Sequence, residues 1–196
     1  MDVSAFWKII DDARTNATDD EDFLTRIDSR VRMLEPAELL EFQRHFNKIH
    51  RESYSWNLWG AAYLMNGGCS DDGFDYFRAW LLAQGRDAFE KAIEDPDTLA
   101  ALEDPEGELE EFMYLAPQAY EGKTREQMPD SVFQGATRPE LGEGWDFDDD
   151  ALSQGTLRPP KVWRFRKGRH RLGSTLAKAN SKVFEDINIK QLKDFN

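Results

Sequence analysis

Asn66, Cys69, Ser70, Asp71, Asp72, Asp75 and Arg78 crowd one short stretch of this chain, with Trp59 just upstream. Three carboxylates so close together can hold a hard divalent cation through oxygen ligands, or act as a base while Arg78 orients an anion. Aromatic residues beside carboxylates are also what a ligand pocket offers. The spacing is not that of an EF-hand, which needs alternating acidic positions over twelve residues and a bidentate Glu at the end. A structural reading of the same residues stands beside the chemical one and outweighs it. Ser70 or Asp71 caps a helix, the glycines of Asn66-Gly67-Gly68 make the turn, and an acidic residue pairs with Arg78.

Cys69 lies just ahead of a helix N-terminus, where the local dipole lowers a thiol pKa. A cysteine nucleophile also needs a base. His45, His50 and His170 are the histidines of the chain, and nothing in their positions brings one to Cys69, so a small buried thiol is the favoured reading. His45 and His50 sit five apart on a predicted helix, off the i, i+4 register of a zinc pair, and read as structural. Trp56, Trp59 and Trp80 fall at helical spacing and read as core. No phosphate-binding glycine loop, serine elbow or paired metal motif is found. The sequence therefore assigns no catalytic residue, metal ligand or cofactor, and leans away from an enzyme.

Helices must position these residues. Ser4 is expected to cap a first helix carrying Phe6, Trp7 and Ile10 on one face, and Asp19 or Asp20 a second carrying Phe23, Ile27, Val31 and Leu34. Pro36 suits the first turn of a third, with Leu39, Phe42, Phe46 and Ile49 inward and Glu41, Arg44, Lys48 and Arg51 outward. Ser55 to Met65 leaves almost no polar face, the mark of a central helix. Another helix runs through Phe74, Phe77, Trp80 and Leu81 until Gly85 stops it, and helical spacing recurs at Phe89, Ile93 and at Leu109, Phe112, Met113 and Tyr120. After Glu121 glycines, prolines and the acidic run Asp146 to Asp150 read as loop. Val132, Phe133, Trp145, Phe147 and Trp163 are too apolar for a free linker, so the loop is expected to lie across the helices. Phe184 to Leu192 is a short terminal helix at most.

Composition sets the frame. The 196 residues are 40% hydrophobic, enough for one domain with a real core. No apolar run is long enough to span a bilayer, and Met1 to Arg14 has no leader character, so a cytoplasmic location is expected. The lone cysteine excludes disulfide scaffolds and cysteine zinc clusters. The net charge of −13 is unevenly spread: residues 1–150 hold 14 Lys+Arg against 35 Asp+Glu, while Ala151 to Phe184 has nine cations and no acid. Arg164, Arg166, Lys167, Arg169 and Arg171, interleaved with Trp163 and Phe165, make a candidate contact arm for an anionic partner. Nucleic acid is disfavoured as that partner, because the acidic body repels it.

From the opening Phe6-Trp7 and Ile9-Ile10-Asp11, through the string Gly67-Gly68-Cys69-Ser70-Asp71-Asp72-Gly73-Phe74, to Gln84-Gly85-Arg86 and Asp95-Pro96-Asp97, the chain resembles a bacterial family known only as a domain of unknown function. The resemblance extends to Gly144-Trp145-Asp146-Phe147 and Pro160-Lys161-Val162-Trp163, and stops before the basic extension. It implies fold class and bacterial origin, and no activity. The expected architecture is mainly α: a single compact multi-helix domain over 1–168, with a helical core at 1–121 and a loop-rich acidic segment at 122–168 wrapped over it, followed by a basic extension at 169–196. The expected role is a non-catalytic module that binds a protein partner through its acidic surface and basic arm. The alternative is a small enzyme, or a cation- or anion-binding domain, with its site at Asn66 to Arg78. The sequence leaves oligomeric state open.

Overall fold

The computed structural model describes residues 1–66, 68–102, 107–134, 138, 139 and 141. Asp2 is extended there (φ −89°, ψ 171°), and its carboxylate accepts from the Ala5 N–H at 2.8 Å. Helix α1 (Val3–Arg14) therefore starts two residues earlier than a Ser4 cap would place it, because the aspartate supplies the same acceptor two residues nearer the terminus. Asp19 caps α2 (Asp20–Val31) by accepting from Asp22 N–H at 2.8 Å, one of the two caps the sequence offers. Pro36 opens α3 (Pro36–Glu52), and the Glu38 carboxylate reaches back to the Glu35 N–H at 2.9 Å. There follow α4 (Trp56–Asn66), α5 (Asp71–Ala83), α6 (Arg86–Glu94) and α7 (Leu115–Thr124), with 3-10 turns at Pro96–Ala101, Glu110–Tyr114 and Asp130–Val132. The fold is all-α among the described residues.

The stripes named from the sequence face one shared core. Phe6 and Ile10 of α1, Phe23, Ile27 and Val31 of α2, and Leu39, Phe42 and Phe46 of α3 are buried together with Phe74, Phe77 and Trp80 of α5. Helix α7 lies along α3, α1 packs on α2, and α5 rests against the Glu110–Tyr114 turn. Phe112 of that turn meets Phe23 and Phe46 edge-on at 5.4 and 5.2 Å. Helix α4 is buried over most of its length, as its lack of a polar face predicts: Leu58, Trp59, Ala61, Ala62, Tyr63 and Met65 are covered. Ile93, which fits the helical spacing of α6, is instead 44% exposed, since the last turn of that short helix overhangs the core.

Geometry requires a glycine at 85 and at 107. Gly85 has φ +91°, which ends α5 and starts α6, and a Cβ there would stand 2.8 Å from Asp11 Oδ1. That oxygen instead accepts from Arg86 N–H at 2.8 Å, so α1 caps α6 across space. Gly107 lies flat on the aromatic floor of α5, where a Cβ would fall 2.9 Å from both Phe77 Cδ2 and Trp80 Cε3.

The described part of the loop-rich segment crosses α3 and reaches α5. Asn47 donates to the Val132 carbonyl at 3.1 Å and Arg51 to the Phe133 carbonyl at 2.6 Å, and Val132 is buried. Leu141 packs against the core. Phe133 is not the anchor its apolar side chain suggests: its backbone is held and its ring is 40% exposed. Helix α7 also carries the helical body to Thr124, three residues past the predicted limit of 121. Trp145, Phe147, Trp163, the acidic run Asp146 to Asp150, the arm from Arg164 to Arg171 and the extension 169–196 lie outside the described residues.

Candidate functional site

The turn between α4 and α5 is built from local rules. Gly68, at φ +144°, donates its N–H to the Tyr63 carbonyl at 2.9 Å, closing the end of α4 by a six-to-one bond. Ser70 is extended, and its hydroxyl accepts from the Gly73 N–H at 3.1 Å, so Ser70 is the cap of α5. Asp71 and Asp72 fill the first helical turn, where negative charge suits the dipole. Ser70→Ala is expected to lower stability by about 1 kcal/mol in urea unfolding, the usual worth of such a cap. Asn66 looks the other way. Its amide nitrogen donates to the Gly107 carbonyl and its oxygen accepts from the Gly107 N–H, both at 3.3 Å, pinning the glycine to the end of α4.

Arg78 is the centre of the cluster. Its side chain is 1% exposed, an unusual place for a guanidinium. It donates to the carboxylate of Asp75 one turn before it, to the Phe74 carbonyl at 3.3 Å, and to the carbonyl of His50 at the end of α3. The His50 carbonyl lies in the last turn of α3, where helix geometry leaves carbonyls without partners, and Ser53 Oγ also donates to it at 2.8 Å. A cation is favourable there because the dipole makes that end negative. Tyr54 and Phe74 complete the cage, with ring centroids 4.9 and 4.7 Å from the guanidinium carbon. Burial pulls the Arg78 pKa down to about 10, opposed chiefly by Asp75, so the side chain is a cation at neutral pH.

His50 is fixed by the same joint. Its Nε2 lies 2.9 Å from the Asp75 backbone carbonyl, which can only accept, so Nε2 carries the proton. Nδ1 is left with a lone pair, and Arg78 points an N–H at it from 3.5 Å. Burial first, and the charge of Arg78 second, depress the His50 pKa to about 3. The ring is neutral at physiological pH and stacks on Phe46 at 5.6 Å. His45 stands apart from this joint, against Phe6 and the Met1 carbonyl.

Arg138, from the segment that crosses the helices, closes the outer side. It reaches Asp75 Oδ2 at 3.3 Å and Asp71 Oδ1 at 3.7 Å, and its guanidinium lies 4.8 Å from the Tyr54 ring centroid. Asp75 thus bonds a buried cation with one oxygen and an exposed one with the other. Asp72 is exposed to solvent. Among the described residues no three His, Cys, Asp or Glu side chains come together in a group that could hold a metal ion.

The Cys69 thiol is not acidified by the helix N-terminus that follows it. Burial, and then the charge of Glu108, push its pKa up to about 12, against the smaller lowering effect of Arg78. Trp59 covers this corner: its indole N–H donates to the Cys69 carbonyl at 3.2 Å, and its ring stacks on Phe74 at 4.8 Å. Desolvation of the sulfur outweighs the helix dipole, which is worth only about 0.3–1 kcal/mol at an exposed terminus. Alkylation of the native protein by iodoacetamide at pH 7.5 is expected to be at least about a hundredfold slower than that of the urea-unfolded chain, since the thiolate is the nucleophile.

The structure therefore brings Asp71, Asp75, Arg78, Cys69 and Trp59 into one neighbourhood, and turns Asn66 toward Gly107. It adds His50, Tyr54 and Arg138, which sequence spacing did not connect to the turn. The family model described as "Protein of unknown function (DUF4240)" matches residues 1–122, well over half the chain and, among the described residues, α1 to α7 except the last two residues of α7. The chain belongs to the DUF4240 family. The match contains the α4–α5 turn, Arg78 and His50, and ends before Arg138. No curated protein and no solved structure matches the chain. No helix among the described residues is long and apolar enough to cross a membrane.

Proposed function

We propose that this DUF4240 chain is a non-catalytic helical interaction module, working in the cytoplasm on a protein partner through its acidic surface and its basic arm. The observation that carries the reading is the mutual engagement of the reactive groups at the α4–α5 turn. Asp75 is bonded to Arg78 and Arg138, His50 is held neutral with its Nε2 proton on a carbonyl, and the Cys69 thiol is held protonated. Acid–base and nucleophilic chemistry at neutral pH need the opposite: a group poised near pH 7 with a free coordinate toward substrate. The charge pattern supplies the binding half, with an acidic body and nine cations between Ala151 and Phe184.

Affinity capture from a cell extract, with the full chain and with a chain ended at residue 168, tests the reading. Both chains are expected to unfold at the same urea concentration. A partner held by the full chain is expected to be lost from the shortened one, and also lost on raising salt from about 0.1 to 1 M, over which the screening length falls from about 10 to 3 Å. Unchanged capture by the shortened chain would remove residues 169–196, with Arg169 and Arg171, from the binding surface. A ligand whose thermal shift disappears in Asp71→Ala and Asp72→Ala, with the apo protein as stable as before, would replace the module with a ligand site at the turn.

A further inference from the structure

Only 14 cations stand among the first 150 residues, and three of them line a single groove. Arg44, Lys48 and Arg51 succeed one another along the solvent side of α3 at spacings of four and three, which puts them on one face over about 10 Å of helix. The opposite wall is the Asp130–Val132 turn and its flank, contributing Ser131, Val132 and Gln134, with Asn47 at the base. The groove is open to solvent on one side and holds about 240 Å³.

We infer that this groove is a binding site for a compact anion carrying one or two phosphate groups. The lining is three cations, a hydroxyl, two amides and one aliphatic side chain, and it contains no carboxylate. The acids nearest the cations, Glu41 on Arg44 and Glu52 at 3.8 Å from Lys48, sit on α3 outside the lining and form exposed pairs that a denser anion displaces at little cost. Arg51 is positioned in advance: the hydrogen bond of 2.6 Å to the Phe133 carbonyl holds it over the groove while most of its donors remain for a ligand. Asn47, by its bond to the Val132 carbonyl, fixes the opposite wall against α3. Two guanidinium forks and an ammonium on one rigid helix suit phosphate oxygens, which accept the paired N–H groups of arginine and the point charge of lysine. The volume is below the roughly 300–1,000 Å³ of sites for drug-sized ligands, which selects a phosphate or diphosphate over a larger body. This site shares no residue with the joint at Arg78 or with the basic arm, so it stands or falls independently of the proposed interaction role.

Inorganic pyrophosphate is the probe, titrated into the full chain by calorimetry and by thermal unfolding, with citrate at matched ionic strength as the comparison. Pyrophosphate is expected to raise the melting temperature, and the paired substitution Arg44→Gln with Lys48→Gln to weaken binding at least about tenfold while leaving the urea midpoint in place, because both side chains are exposed. In the unaltered protein the side-chain amide resonances of Asn47 and Gln134 are expected to move on titration, a readout that needs no variant. Equal affinity in the double variant, an equal response to citrate, or still amide resonances would each overturn the assignment.

Discussion

Arg78→Met is expected to lower the unfolding free energy by about 3 kcal/mol, read as a fall in the urea midpoint without change of slope. The figure is the lower end of the 3–5 kcal/mol that follows when one member of a buried ion pair is removed, because Asp75 keeps Arg138 as a second partner and is 24% exposed. The loss has two sources that a second variant separates. Methionine fills much of the volume but leaves the His50 carbonyl with Ser53 as its side-chain donor, and leaves Asp75 beside an apolar group. Adding Asp75→Asn removes the carboxylate left beside an apolar group, so the loss in the double variant is expected to fall short of the sum of the two single losses by about 1 kcal/mol, a coupling typical of residues in direct contact. Losses that simply add would mean that Arg78 acts by packing alone. Arg78→Lys is not a conservative replacement here, since one ammonium cannot serve the Asp75, Phe74 and His50 acceptors in the plane of a guanidinium.

Acid is expected to weaken the fold through His50. The imidazole has a pKa of about 3 in the native protein and about 6.5 when unfolded. Between those values the unfolded chain binds the extra proton, so the stability contributed by the neutral ring is complete above pH 6.5 and is lost as pH falls toward 3. From pH 7 to pH 5 the expected loss from this residue is about 2 kcal/mol, approaching 1.4 kcal/mol per pH unit at its steepest. His50→Gln keeps a donor for the Asp75 carbonyl and does not titrate. Its stability at pH 7 is expected to be lower than that of the parent, and its decline between pH 7 and pH 5 shallower by about 2 kcal/mol. Parallel declines would place the native pKa of His50 close to its ordinary value and contradict the buried neutral ring.

The parts of this fold that were legible in advance are those fixed by near neighbours in the chain. Phe23, Ile27 and Val31 sit on one face because of helical period alone, and Pro36, Asp19 and Ser70 mark starts because capping involves residues two or three apart. The Asp75–Arg78 pair belongs to the same class, being three residues apart on α5. Asp2 and Ser4 are both competent caps, and which one serves depends on where the chain enters the bundle.

The features that escaped the sequence depend on packing between distant segments. His50 meets Arg78 because the end of α3 abuts α5, and Arg138 meets Asp75 because the loop crosses back over both. Gly107 had no local signature, since its need for a missing side chain comes from Phe77 and Trp80, which stand 30 and 27 residues earlier. At Cys69 the local helix dipole and burial oppose one another, and burial prevails. The helix dipole is set by the neighbouring residues, whereas the larger desolvation is set by the rest of the fold. Phe133 reads as an anchor by composition, yet the segment is fastened through its carbonyls by Asn47 and Arg51.

The central claim is that the α4–α5 turn is a joint, in which a buried Arg78 and a neutral His50 fasten α5 to the end of α3. Long-range proton–nitrogen correlation spectra of the His50 ring, recorded from pH 8 to pH 5, test it most directly. Nε2 is expected to be protonated and Nδ1 unprotonated throughout, with no titration in that range. A His50 ring that titrates near pH 6.5, or one that carries its proton on Nδ1, would contradict the joint.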